Sequence, residues 1–174
     1  MRIKSSPERY GVVAIALHWT IAVLLLVALA SGFAADSLGP GGAGPLALHA
    51  ASGILAAILM VVRLLWWWSA DTRPAALAGP AKPVATATHV LLQLIPLALA
   101  FSGAAMLVLS GTLPALIDGG PLLDFSGLAA RGPHGIAARL LIALIVLHVA
   151  GALYHHVRLK DSTLARMGIG TARF

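Results

Sequence analysis

At 174 residues, 59% of them hydrophobic and only 10% charged, the chain lies well outside the composition of a soluble globular domain. Its net charge is +6, but the basic residues flank the apolar runs and form no patch with interleaved aromatics, which argues against nucleic acid as a partner. No cysteine is present, so disulfides, iron–sulfur ligation and the C-x-x-C-H type of covalent haem attachment are excluded.

Four apolar stretches are each long enough to cross a hydrocarbon core of about 30 Å. They run from about Val12 to Ala34, Pro45 to Trp68, Val84 to Leu109 and Pro133 to Val157. Without water to satisfy the backbone, such segments must be helices. The expected fold is therefore all-α, an integral membrane antiparallel four-helix bundle forming one domain over residues 1–174. The first stretch has a basic start and an Ala28-Leu29-Ala30 triplet like a cleavage site. It exceeds the apolar core of a signal peptide, however, and contains His18, so it is read as a retained span.

The connections carry the expected breakers. Asp36 to Gly44 is glycine-rich, Ser69 to Pro83 holds Pro74, Pro80 and Pro83, and Gly111 to Gly132 holds Pro114, Gly119, Gly120 and Pro121. The sequence shows no evident internal repeat and no low-complexity tract beyond its alanine and leucine richness.

Lysine and arginine set the expected orientation. Arg2, Lys4 and Arg9 precede span one; Arg63, Arg73 and Lys82 lie around the turn between spans two and three; Arg158, Lys160, Arg166 and Arg173 follow span four. The other side has Arg131 and Arg139 against Asp36, Asp118 and Asp124. The positive-inside rule places both termini in the cytoplasm, with Trp66, Trp67 and Trp68 in the inner aromatic belt.

Within this frame the histidines fall at two depths. His18 enters with span one from the inside, and His148 lies deep in span four. His49 and His134 open spans two and four from the outside. His148 follows His134 by fourteen residues, about 21 Å along a helix and within about 40° of the same face. An intramembrane histidine is a functional candidate, and two opposed imidazoles are what a six-coordinate haem iron needs axially. The depths pair His49 with His134 and His18 with His148, predicting two non-covalent b haems. At the crowded inner level His89 is expected at the membrane boundary, and His155 and His156 at the end of span four. The competing structural role, hydrogen bonding between helices, explains a single histidine more readily than two depth-matched pairs. No Asp or Glu falls within the spans as drawn, so a carboxylate proton relay or cation path is not expected. Phosphate loops and nucleophile motifs are lacking too. Gly53, Gly103, Gly135 and Gly151 suggest close approaches of helices or of a flat macrocycle.

These residues resemble the cytochrome b561 family in its four-helix bacterial form. The resemblance rests on Ala16-Leu17-His18-Trp19, on His49 followed by Gly53 and Met60-Val61-Val62-Arg63-Leu64, and on His134. It continues through Leu147-His148, His155-His156, Lys160-Asp161 and Leu164-Ala165-Arg166-Met167. His89 also resembles a histidine that recurs at the start of the family's third helix. The resemblance implies a bacterial inner-membrane di-haem protein that exchanges electrons with the quinone pool, His18 and His148 holding the inner haem and His49 and His134 the outer. A member of the group oxidises superoxide at the outer face and reduces ubiquinone, which makes a superoxide:ubiquinone oxidoreductase the enzyme activity to consider. Arg139 departs from the family pattern, and the outer side, with three aspartates against two arginines, is a poor funnel for an anion unless Arg131 and Arg139 are locally placed to attract it.

Two arginines then become candidate haem-propionate contacts. Arg63 follows His49 by fourteen residues and so reaches the inner haem's level, while Arg139 stands near the outer one. The alternative for each is snorkelling to the headgroups. A quinone site is expected at the cytoplasmic end from His155 or His156 with Trp19, since a histidine near water can donate to the quinone oxygen and supply a proton. Two other readings stand beside this one. One is a cytochrome b subunit relaying electrons from a dehydrogenase, hydrogenase or other redox protein to quinone; the other is a haem-free membrane scaffold or transporter.

Overall fold

A computed structural model describes residues 2–71, 82–118 and 124–170. Arg73, Pro74, Pro80, Gly119, Gly120, Pro121 and Arg173 lie outside the described residues. All regular structure described is helical: α1 Val12–Leu38, α2 Ala43–Ser69, α3 Lys82–Leu109, α4 Thr112–Asp118, α5 Arg131–Tyr154 and α6 Thr163–Arg166. Four helices are long and apolar enough to span a membrane, α5 being prolonged by a π-helical turn over His155–Leu159.

These helices extend two to four residues beyond the apolar runs at several ends, because hydrogen bonding continues past the point where hydropathy falls. Asp36 consequently sits in the last turn of α1 instead of in a loop. The turn that follows needs glycine: Gly39 has φ 55° and ψ −128°, a conformation costly for a residue with a Cβ. The outer connection also holds a short helix, α4, that its Pro114 did not suggest. Proline is tolerated there because it lies within the first turn, where backbone N–H groups have no helical acceptor.

The bundle is two helical hairpins. α1 packs along α2 and α3 along α5, with α2 meeting α3 between them. Small residues line the close approaches. Ala14, Ala28 and Ser31 of α1 and Ser52 and Ala56 of α2 are buried, letting the backbones come together where lipid offers no hydrophobic drive. Ser31 and Ser52 return their hydroxyls to carbonyls of their own helices, so no polar group is stranded. Larger side chains such as Phe101, Val108, Leu109 and Val146 face outward, as expected where the solvent is hydrocarbon.

The inner end is tied together by polar contacts. The Asp71 carboxylate accepts from the Ser5 backbone N–H and hydroxyl at 2.7 Å each, and from Trp66 Nε1 at 3.1 Å. Gly11 N–H donates back to Ser5 Oγ at 3.0 Å. A Cβ on Gly11 would stand 2.3 Å from the Ile3 carbonyl oxygen, so the arm folds over this residue only because it is glycine. Tyr10 N–H donates to the Arg166 carbonyl, joining both ends of the chain at this face. Trp66, expected in the inner aromatic belt, is thus a structural donor.

Asp71→Ala should release this arm. Losing three hydrogen bonds to one carboxylate corresponds to roughly 1–3 kcal/mol. A lower unfolding midpoint in detergent and faster tryptic cleavage near Arg2, Lys4 and Arg9 should record it, with Asp71→Asn intermediate.

Candidate functional site

The histidines meet in pairs inside the bundle. The rings of His49 on α2 and His134 on α5 lie 6.0 Å apart, centroid to centroid, at 74° to one another. The rings of His18 on α1 and His148 on α5 lie 6.1 Å apart at 61°. Two imidazoles on opposite sides of one iron stand about 6 Å apart, the sum of two metal–nitrogen bonds of about 2.0 Å and two ring radii. Both pairs have this spacing. Among the described residues no group of three or more His, Cys, Asp or Glu side chains is arranged to hold a bare metal ion. Pairs of this kind suit a metal whose remaining ligands arrive with it, as in a porphyrin.

At the outer pair the protein also selects the tautomer. His49 Nδ1 is 2.7 Å from the Ala28 carbonyl oxygen, which can only accept, so Nδ1 carries the hydrogen. His134 Nδ1 is 2.8 Å from Ser102 Oγ, and that hydroxyl donates onward to the Leu99 carbonyl at 3.1 Å. Ser102 therefore accepts from His134. Both Nε2 lone pairs are left for an axial bond, and both rings are oriented by a second hydrogen bond as metal-binding histidines commonly are.

Two glycines make the space. A Cβ on Gly32 would fall 2.7 Å from His49 Nδ1 and 2.9 Å from its Cε1, and one on Gly103 would fall 3.3 Å from His134 Cε1. Gly103 was among the close-approach candidates read from the sequence; Gly32, Ser102 and the Ala28 carbonyl were not. The available signal was the dipeptide Ser-Gly, present at Ser31-Gly32 and again at Ser102-Gly103.

The inner pair has more company. His89 does not stand apart at the boundary: its ring lies 5.3 Å from that of His148. Trp19 packs edge-on against His18 at 5.2 Å and donates its Nε1 to the Met167 carbonyl at 3.1 Å. Arg63 is partly buried, its guanidinium 4.3 Å over the Trp67 ring, one turn further toward the inner face. That cation–π contact binds it within the bundle end.

His155 and His156 behave differently. His155 Nδ1 lies 2.5 Å from Asp161 Oδ2, while His156 is exposed. The contact depends on the chain reversing after the π-turn, which it does at Lys160 with φ 53°. Asp161 Oδ1 accepts from Thr163 N–H at 2.9 Å, opening α6. Burial works against the Asp161 charge, but contacts with Thr163 and His155 outweigh it and hold the carboxyl below the ordinary carboxylate range. Both His155 and Trp19 thus reach the 161–167 hook, through Asp161 and Met167.

On the outer side Arg131 is paired with Asp36. Hydrogen bonds from the Ser126 hydroxyl and then its backbone keep Asp124 below the ordinary range, assisted by the Arg131 charge. Arg139 donates Nη1 to the Gly135 carbonyl at 3.1 Å, folding toward the level of His134.

The family described as prokaryotic cytochrome b561 matches residues 9–170 of the chain. Cytochrome b561 homolog 2 of Escherichia coli (strain K12) is 33% identical, the alignment covering 96% of this chain and 95% of the relative. The probable superoxide oxidase CybB of Yersinia pestis is 29% identical over 92% and 96% respectively.

Gly32→Ala should displace His49 from the Ala28 carbonyl, whereas Gly103→Ala asks His134 to yield by only a few tenths of an ångström. The first should reduce haem retained by the outer pair severalfold and the second little, read as haem per chain after purification. Equal retention in both would show that the glycines do not set the ring positions.

Proposed function

The chain belongs to the prokaryotic cytochrome b561 family of haem b membrane electron-transfer proteins, and on that premise we propose that it holds two b haems and carries electrons from a donor at the outer face to the quinone pool. The observation that carries the reading is the pair of imidazole couples, 6.0 and 6.1 Å across, at two depths of one bundle. His49 and His134 are the proposed ligands of the outer haem, His18 and His148 of the inner. Bound haem supplies one-electron chemistry; the chain supplies imidazole ligands, a low-dielectric surround and separation of the two sites.

The proposed orientation has both termini in the cytoplasm of a bacterial cell and the bundle in the inner membrane, from the lysines and arginines at the inner end. Four candidate spans and the bond from Tyr10 N–H to the Arg166 carbonyl support both termini lying on one side. Arg63 and Arg139 are the proposed propionate contacts. Each is a cation at the level of one imidazole pair, where an intramembrane charge needs an anionic partner.

Ubiquinone is the proposed acceptor, at the inner end beside His155, His156 and Trp19. The His155–Asp161 contact supports a quinone-binding role: a carboxylate on Nδ1 orients the ring and leaves Nε2 for the quinone oxygen. Superoxide is the proposed donor, suggested by the Yersinia pestis relative's description as a probable superoxide oxidase. The Arg131–Asp36 pairing spends one outer cation, which leaves Arg139, folded back on the Gly135 carbonyl, as the proposed attractor of an anion. The second reading, a cytochrome subunit fed by a dehydrogenase or hydrogenase, predicts no quinone reduction with superoxide alone.

A pyridine haemochrome assay should give two haems per chain with low-spin bis-histidine spectra. His49→Ala and His134→Ala should each leave one haem, spectrally the same in both, and His18→Ala and His148→Ala should each leave the other. One haem in the wild type, or His18 and His49 variants losing the same haem, would reject the assignment.

At the quinone end, His155→Ala and His156→Ala should keep both haems while at least one loses tenfold or more in superoxide-driven ubiquinone reduction. Wild-type rates in both would move the site elsewhere.

A further inference from the structure

The two hairpins carry the same marks at the same spacing. In α1, His18 is followed fourteen residues later by Gly32; in α3, His89 is followed fourteen residues later by Gly103. Each glycine follows a serine, and each faces a histidine of the next long helix: Gly32 faces His49, Gly103 faces His134. In α2, Arg63 follows His49 by fourteen residues; in α5, His148 follows His134 by fourteen. In these registers Ala56 of α2 corresponds to Leu141 of α5, and both are 1% exposed. Each pair of fifteen-residue segments shares four identical positions, too few to mark a repeat by sequence alone in an alanine- and leucine-rich chain.

Both first helices run outward and both second helices run inward. The hairpins are therefore related by a pseudo-twofold axis along the membrane normal, the arrangement of parallel repeats in membrane proteins. Under that axis His49 and His134 exchange with one another, so the outer couple is symmetric. The inner couple is not. His18 exchanges with His89, and His148 with Arg63. The inner level therefore contains the ligand frame twice, once as His18 with His148 and once as His89 with Arg63.

We propose that His89 and Arg63 are a second axial-ligand frame for haem, the symmetry copy of His18 and His148, and that Arg63 is the residue that keeps it closed. A guanidinium stays protonated and offers no lone pair to iron, so the copy cannot complete a bis-histidine site. The inner level takes one haem, held from α1 and α5, with a fixed cation at the place where the mirrored ligand would stand. His89 keeps the imidazole of the closed frame. Its ring lies 5.3 Å from His148, so it occupies the same layer as the working pair.

This inference rests on the assignment of the inner haem to His18 and His148, and exchanging the frames tests the two separately. The double variant Arg63→His/His148→Arg conserves composition and moves the cation to the mirrored position. It should bind two haems per chain. In that background His89→Ala should leave one haem and His18→Ala should leave two, the reverse of their effects in the wild-type chain. A milder test needs no arginine at position 148: His18→Ala alone should leave one haem, and adding Arg63→His should restore two. The outer haem reports folding in every variant. An exchange variant with the outer haem alone, together with no restoration in the milder test, would overturn the proposal. So would an inner haem that still depended on His18 after the exchange. A wild-type chain in which His18→Ala kept both haems would instead overturn the assignment beneath it.

Discussion

A polar ring in hydrocarbon has no water to bond to, and the rest of this structure is arranged around that constraint. An unsatisfied donor in an apolar medium costs several kcal/mol, so an intramembrane histidine must find an acceptor for its N–H. At the outer couple the acceptors are a carbonyl of α1 and a hydroxyl of α3. Reaching them brings each ring close against a neighbouring helix, so close at Gly32 that a Cβ would collide with His49, and within a few tenths of an ångström of collision with His134 at Gly103. The hydrogen bond that makes the ring tolerable in the membrane also fixes the hydrogen on Nδ1 and leaves Nε2 with its lone pair. Solvation and the choice of tautomer are met by one contact.

The two couples meet the constraint differently. The outer rings are each held by a hydrogen bond to a neighbouring helix, whereas the inner rings stand among aromatic and cationic side chains: Trp19 against His18, His89 against His148, and Arg63 over Trp67 nearby. Arg63 is a cation of the inner layer, and under the proposed haem assignment a fixed cation beside the redox centre would favour its electron-rich form.

Much of this was legible in the sequence because hydropathy and helical spacing act along one dimension. Four spans follow from run length, and the pairing of His134 with His148 on one face follows from fourteen residues of helix. What lay across helices was not legible. His89 looked like a boundary residue because it begins an apolar run; α3 extends back to Lys82 and lodges it beside His148. Gly32 looked like one glycine among many, since its meaning depends on a ring from α2. Asp71 and Asp161 drew no structural reading from the sequence, yet each organises one end of the chain by accepting hydrogen bonds. The hairpin repeat stayed hidden because lipid-facing positions accept any apolar residue, and half of the eight shared identities are leucines and a valine of the kind the whole chain is rich in.

That last point bears on how such a chain can be read at all. In a soluble domain the core carries much of the sequence information; here the core layers are thin and the outside is interchangeable hydrocarbon. Ala56 and Leu141 occupy matching buried positions with side chains of different size, so at that layer the hairpins share burial and not shape. A glycine facing histidine recurs as chemistry, because it clears the ring and lets a carbonyl in one hairpin and a hydroxyl in the other reach Nδ1. The difference between Arg63 and His148 then stands out as a departure at one of the few positions where identity matters. It separates a symmetric outer site from an asymmetric inner one, and asymmetry along the membrane normal is what a protein needs if electrons are to leave by a different face from the one they entered.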